Sequence, residues 1–168
     1  ASAKALTSRQ DLAIGISEAV RNVLNKSLIK PKDISLVSLS TTLATNALVE
    51  DQGGSVALIF VGFRDGDLTK HKIHDALKGD PVLQTKGGHN HAGEETCELN
   101  IEEIKKWIFN LDGVSAFAIA SQFATRNAAH EVKIIELIKG LTDKPITASH
   151  QLSSKLNGPR RALTAVLN

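Results

Sequence analysis

Apolar residues recur along the chain in two patterns that predict helices and buried strands. In residues 8–28 they fall at three- and four-residue intervals, which is the stripe of an amphipathic helix. Residues 56–61 read VALIFV, six consecutive apolar residues between Gly54 and Gly62, which is typical of a strand buried on both faces. The apolar run at 114–120 predicts a second strand of this kind.

The rest of the chain continues the alternation of strands and helices. Shorter apolar runs and further periodic segments predict strands at 34–39 and 146–149 and helices at 41–50, 100–110, 127–139 and 160–168. Asn100, with Glu103 three residues on, predicts an N-terminal capping box. This alternation favours an α/β fold with a mostly parallel sheet and helices on both faces. We expect one domain over 1–168, in which the glycine-rich residues 62–99 form a loop-rich insert with a helix near 69–77.

Ligands of open α/β sheets bind beyond the carboxyl ends of the strands. In this chain those ends are predicted at residues 40–42, 62–65, 121–125 and 149–151. The first two are rich in polar groups and small residues, so we expect the binding site there.

Composition narrows the function only slightly. The 168 residues are 42% apolar and 23% charged, which excludes a disordered chain. Lys and Arg number 20 against 18 Asp and Glu, a balance that gives no support to nucleic-acid or membrane binding. No apolar run approaches the roughly 20 residues of a membrane helix, and a single cysteine, Cys97, excludes an internal disulfide. We expect a soluble, cytoplasmic protein.

The segment Thr41–Asn46 lies at a predicted strand-to-helix junction. Free amides at a helix start, together with hydroxyl groups, can bind an anion or another oxygen ligand. Thr41 and Thr45 share one helix face, and Thr42 and Asn46 share another. The alternative is that a hydroxyl caps the helix and the other side chains are solvated.

The second polar segment, Gly62-Phe63-Arg64-Asp65, follows the strongest predicted strand. Glycine permits a sharp exit, and Arg64 and Asp65 place charge at the predicted ligand-binding edge. The alternative is an ordinary loop that carries a surface charge pair.

Histidines give a weaker indication of a site. His89 and His91 lie in glycine-rich sequence near two glutamates, but a further ligand at defined spacing is missing for a metal. We expect no metal at these positions, and solvated loop histidines instead. The fingerprints of P-loop, dinucleotide-binding and serine-hydrolase sites are absent from the sequence.

The two polar segments together resemble the N-terminal region of the hydantoinase A/5-oxoprolinase family. That family has a Thr-Thr-x-Ala-Thr-Asn-Ala segment, matched by residues 41–47, and then Gly-Phe-Arg-Asp, matched by residues 62–65. Asn127 with His130-Glu131, and Arg161 with the residues after it, are similar to two further family segments. The resemblance runs nearly end to end.

The resemblance implies an actin/hexokinase-like (ASKHA) ATPase fold, here a ribonuclease H-like subdomain lacking its first strands. It implies an N-terminal fragment of an ATP-dependent hydantoinase/5-oxoprolinase-like hydrolase that acts on cyclic amide C–N bonds and is inactive alone. ATP and Mg²⁺ would serve the full-length protein, with none expected in the fragment. Residues 41–46 would contact substrate or phosphate. Arg64 would stabilise negative charge, and Asp65 would orient Arg64 or a metal-bound water.

Two other functions stay open at this stage. The chain could belong to the ATP-using subunit of a ketone (acetone-type) carboxylase, or to a non-catalytic relative that binds a metabolite or a partner. Departures from the family pattern at Leu39, Ser40, His71 and Ala128 leave the substrate open. The implied partners are a cyclic amide and either the remainder of its own chain or a hydantoinase B-like subunit.

Overall fold

The computed structural model describes residues 1–6, 11–27, 29–36 and 53–168. The chain divides into two compact units, 1–42 and 43–168. In the first unit, helix α1 spans Leu12–Ser27, and a short 3₁₀-helix spans Pro31–Asp33. The Asp11 carboxylate accepts a hydrogen bond from the Ala13 N–H at 2.8 Å and so caps the start of α1.

Two predicted elements fall wholly or partly outside this description. The predicted helix at 41–50 lies outside the described residues, as do the last three residues of the predicted strand at 34–39. Residues 34–36 are described and are not in a strand.

The second unit contains a sheet of four parallel strands. They are β1 (Val56–Val61), β2 (Val82–Thr85), β3 (Ala116–Ser121) and β4 (Ile146–Ala148). Their order is β2-β1-β3-β4, and each neighbouring pair is parallel. Val61 is in register with Thr85 on one side and Ser121 on the other, so three strands end level at one carboxyl edge. The prediction of a parallel α/β sheet is confirmed.

Helices connect these strands and follow the last one. They are α2 (Asp67–Lys70), α3 (Ile73–Leu77), α4 (Ile101–Phe109), α5 (Ala129–Leu141), α6 (Ser149–Leu152) and α7 (Gly158–Leu167). The Asn100 side chain accepts from the Glu103 N–H at 3.1 Å, as the sequence predicts. The Glu103 carboxylate accepts from the Thr85 hydroxyl of β2 at 2.5 Å, which ties the start of α4 to the sheet. Within the described residues, no helix has the length and apolarity needed to cross a membrane.

The sheet buries one apolar cluster on each face, because alternate side chains of a strand point to opposite sides. On one face Ile59 and Ile119 pack with Ile104 of α4 and Ile134 of α5. On the other face the strand residues, including Phe60, pack with α2, α3 and α7. Helices therefore cover both faces, as expected.

The segment 62–99 is more regular than the sequence indicates. It contains α2, α3 and the edge strand β2. The short apolar run of β2 is followed at once by Gln84 and Thr85, and it is only partly buried along most of its length. It therefore lacks the continuous apolar run that predicts β1 and β3 correctly.

Candidate functional site

The carboxyl edge of the sheet brings three loops together. Gly62, directly after β1, has a φ of 75°, and a Cβ atom at this position would lie 2.4 Å from the Gly87 carbonyl oxygen. Only glycine permits this backbone conformation and this close approach. The Gly62 loop and the loop after β2 are therefore in direct backbone contact. The loop after β3 joins them, since the His89 N–H donates to the Gln122 carbonyl at 3.1 Å.

Arg64 and Asp65 lie at this edge with exposed side chains, as predicted. The Arg64 backbone N–H donates to Asp67 Oδ2 at 3.1 Å. Gln84 of β2 reaches across, and its amide donates to the Phe63 carbonyl at 3.3 Å and to Asp65 Oδ1 at 3.4 Å. The loop is thus fastened through its backbone and through Asp65. The Arg64 guanidinium has no hydrogen-bond or ion-pair partner among the described residues and is available to a ligand.

Phe63 anchors the same loop to the apolar cluster that contains Phe60. Its ring stacks on Phe60, with centroids 3.8 Å apart and an interplanar angle of 8°. It also lies against Gly158, where a Cβ atom would be 2.6 Å from Phe63 Cε1. The first residue of α7 therefore has to be small for the Gly62–Asp65 loop to keep this position.

The other predicted site residues precede β1 in the chain. Thr41, Thr42, Thr45 and Asn46 lie outside the described residues. Their proximity to Arg64 and Asp65 stays a prediction.

A histidine cluster, missed in the sequence, lies beside the same edge. His130, in the first turn of α5, is 1% exposed. Its Nδ1 accepts from the Gly88 N–H at 2.9 Å, so the ring proton is on Nε2, which donates to Glu95 Oε1 at 2.7 Å. The ring of His89 lies 4.5 Å from that of His130. His89 is buried rather than solvated, which corrects the prediction, whereas His91 is exposed as expected.

Burial sets the electrostatics of this histidine cluster. It lowers the pKa of His89, and the neighbouring His130 lowers it further, while Glu95 opposes the shift. The hydrogen bond from His130 lowers the pKa of the Glu95 carboxyl. Both shifts favour a neutral His89 beside an ionised Glu95.

Glu131 forms a second buried network next to His130. Its carboxylate is fully buried and accepts from the Ser121 N–H at 2.7 Å and the Ser149 hydroxyl at 2.6 Å. It also accepts from the His150 N–H at 2.9 Å and from His150 Nδ1 at 2.5 Å. Four hydrogen bonds satisfy a charge that would otherwise be costly to bury. They tie the start of α5 to the ends of β3 and β4.

Arg161 of α7 completes this network. It is 2% exposed, and it donates from Nη1 to the Lys155 carbonyl at 2.6 Å and from Nη2 to the Ser121 carbonyl at 3.4 Å. Burial lowers the pKa of its guanidinium, and the Glu131 charge acts in the opposite direction. Arg161 is a structural cation of the carboxyl edge, with no exposed face to offer a ligand.

Metal binding has no support in the described part of the chain. No group of three or more His, Cys, Asp or Glu side chains there could hold a metal ion. Cys97 is a free, exposed thiol.

Comparison with known proteins identifies the family of this chain. Residues 1–142 match the hydantoinase/oxoprolinase N-terminal region. The chain is 25% identical, over 199 aligned positions, to the acetophenone carboxylase gamma subunit of Aromatoleum aromaticum, and the match covers 99% of this chain and 27% of that protein. It shares its fold with the crystal structure of ATP-dependent caprolactamase from Pseudomonas jessenii, with a TM-score of 0.75, 23% identity and coverage of 98% of this chain and 27% of that one.

The chain thus spans about a quarter of the length of both relatives, 27% in each case. The match to the family model covers both polar segments that carry the resemblance, residues 41–47 and 62–65, and ends after α5. The chain belongs to the hydantoinase/oxoprolinase family, through its N-terminal region.

Proposed function

We propose that this chain is part of an ATP-dependent enzyme that opens cyclic amides, as a hydantoinase or 5-oxoprolinase does. The observation that carries the proposal is the position of Arg64 and Asp65, exposed at the carboxyl edge of the sheet in a chain of this family. Because the chain spans only 27% of its relatives, the activity is proposed for the whole protein, with this chain inactive alone. We place that protein in the cytoplasm.

The chemistry explains why such an enzyme needs ATP. An unstrained cyclic amide is a poor electrophile, and bound ATP would supply a phosphoryl group that turns its carbonyl oxygen into part of a leaving group. Negative charge then accumulates at the edge where the substrate lies. The Arg64 guanidinium can stabilise that charge, because the backbone that carries it is fastened on both sides: the Phe63–Arg64 peptide is hydrogen-bonded at both its carbonyl and its N–H, and the Arg64 carbonyl accepts from the Asp67 N–H at 3.2 Å.

The described residues fit ATP as one part of a larger site. Arg64 offers an exposed cation suited to phosphate oxygens. Asp65 offers a carboxylate that would orient Arg64 or a water bound to the Mg²⁺ of the nucleotide, which commonly keeps several waters. Thr41, Thr42, Thr45 and Asn46 would contact substrate or phosphate, and the rest of the site would come from the remainder of the protein or a hydantoinase B-like subunit.

The test is ADP release by the full-length protein with caprolactam, 5-oxoproline or hydantoin as substrate. We expect stimulation by at least one of them, and Arg64→Ala should reduce turnover by about 10²–10³-fold without unfolding the protein. Asp65→Asn and Asn46→Ala should also reduce it. Lys139→Ala is the control, since Lys139 is exposed near the far end of α5. Wild-type turnover by Arg64→Ala would refute the assigned role.

A second candidate function rests on the likeness to the acetophenone carboxylase gamma subunit. In that case the chain would belong to the ATP-using subunit of a ketone carboxylase. The same assay separates the two functions: ATP turnover that requires both a ketone and bicarbonate, and is not stimulated by any cyclic amide, would favour the carboxylase.

A further inference from the structure

The loop that follows β2 is held by a histidine that the proposed chemistry does not use. Residues 86–96 leave β2, turn at Asn90–Gly93, and return so that His89 and Glu95 form an antiparallel bridge. His130 contacts both arms of this loop. Its Nδ1 accepts from the Gly88 N–H of the outgoing arm at 2.9 Å, and its Nε2 donates to Glu95 Oε1 of the returning arm at 2.7 Å.

The same contact reaches the proposed site through the backbone. A Cβ atom on Gly87 would lie 3.2 Å from His130 Nδ1, and one on Gly62 would lie 2.4 Å from the Gly87 carbonyl. The Gly87-Gly88 backbone therefore lies between His130 and Gly62, and the contacts on both sides of it leave no room for a side chain at Gly87 or Gly62. Gly62 is two residues before Arg64, so a shift of Gly87-Gly88 has to move the start of the loop that carries Arg64 and Asp65.

This arrangement depends on which ring nitrogen of His130 carries the proton. The Gly88 N–H needs a lone pair on Nδ1, and Glu95 receives the proton of Nε2. A second proton, on Nδ1, would place two donors against each other and remove the acceptor of a buried amide. His89 and Glu95 of the loop lie beside the ring, and the charge of Lys133 on α5 acts on both of them.

We propose that His130 is a positioning residue, which in its neutral Nε2–H form holds Gly87-Gly88 against Gly62 and thereby fixes Arg64 and Asp65 at the carboxyl edge. The proposal rests on the proposed function only for the role of Arg64 and Asp65. Loss of the Nδ1 acceptor should release the loop and then displace the arginine.

Hydrogen exchange of the full-length protein, followed by mass spectrometry, tests the proposal without any substrate. Peptides covering 86–96 and 62–67 are compared between the wild-type protein and variants of His130 at one pH. Both peptides should exchange about tenfold faster in His130→Phe, the scale expected for loss of one buried hydrogen bond.

Two variants and one control separate the causes. His130→Asn keeps an acceptor near the Gly88 N–H, so its exchange should stay near the wild-type rate in both peptides. His130→Phe removes the acceptor and should exchange fast in both peptides. His91→Asn changes an exposed histidine of the same loop and should behave as wild type.

Two results would overturn the proposal. If His130→Phe exchanges at the wild-type rate in 86–96, another contact holds the loop. If 86–96 opens while 62–67 does not respond, the loop does not position Arg64. Because neither result depends on turnover, the proposal and the proposed function can fail separately. In ATP assays of an active enzyme, His130→Phe should lower kcat and leave KM near the wild-type value, and His130→Asn should keep most of the wild-type kcat.

Discussion

A single missing side chain decides where Phe63 lies. Gly158→Ala would place Cβ 2.6 Å from Phe63 Cε1 and 2.9 Å from Cζ, so the ring has to leave its stack on Phe60. We expect this substitution to lower the free energy of unfolding by about 1–3 kcal/mol, measured by urea denaturation. Gly140→Ala is the matched control, because Gly140 is a helical glycine at which an added Cβ atom would meet no neighbouring atom within 4 Å. It should be neutral or slightly stabilising. Equal effects of the two changes would show that Phe63 yields at no cost.

His89 should make the folded protein sensitive to acid. Burial lowers its pKa below the ordinary 6.5, so the unfolded chain binds a proton more readily than the folded one. Stability is then fully present above 6.5 and is lost as the pH falls below that value. Replacement by Gln should reduce the difference in unfolding free energy between pH 7.5 and 5.5.

His74 provides the control for this measurement. It is exposed on α3, so His74→Gln should keep the wild-type pH dependence. An undiminished pH dependence in His89→Gln would mean that His89 does not contribute to the acid sensitivity.

At the scale of the elements, Glu131 joins α5 to two strands. Glu131→Gln keeps the size of the side chain but removes a charge that accepts four hydrogen bonds, and it leaves Arg161 buried nearby. We expect a loss of about 3 kcal/mol in the free energy of unfolding. Glu136→Gln, an exposed position of the same helix, should change it by less than about 0.5 kcal/mol. A small effect of Glu131→Gln would mean that the amide satisfies the same donors.

The elements differ in how well the sequence predicts them, for a physical reason. β1 and β3 are central strands buried on both faces, and their unbroken apolar runs predict them within two residues. β2 is an edge strand of four residues that is largely half-buried, and a pattern so short does not differ from that of a loop. The Asn100 cap is predicted because both partners are local in sequence.

At the scale of the whole molecule, the parts of the candidate site that are local in sequence could be predicted, and the contacts between distant residues could not. Arg64 and Asp65 are predicted at the carboxyl edge because they directly follow a strong strand. The contact between Gly88 and His130 joins residues 42 apart in the chain, and no local pattern indicates it. The family resemblance indicated that His130-Glu131 is a feature of the chain, but only the fold shows that Glu131 accepts from two strand ends and that His130 holds a loop.

The described core predicts which part of the chain can fold alone. All buried members of the two apolar clusters lie between Ala57 and Val166, so a chain that begins at Gly53 keeps the whole described sheet and both clusters. We expect it to unfold in urea in one cooperative transition. The dependence of its unfolding free energy on urea concentration should be smaller than that of the full chain, because unfolding exposes less surface. The control is the full 168-residue chain under the same conditions. A broad transition, or strong binding of a hydrophobic dye by the shorter chain, would show that residues before Gly53 cover part of this core.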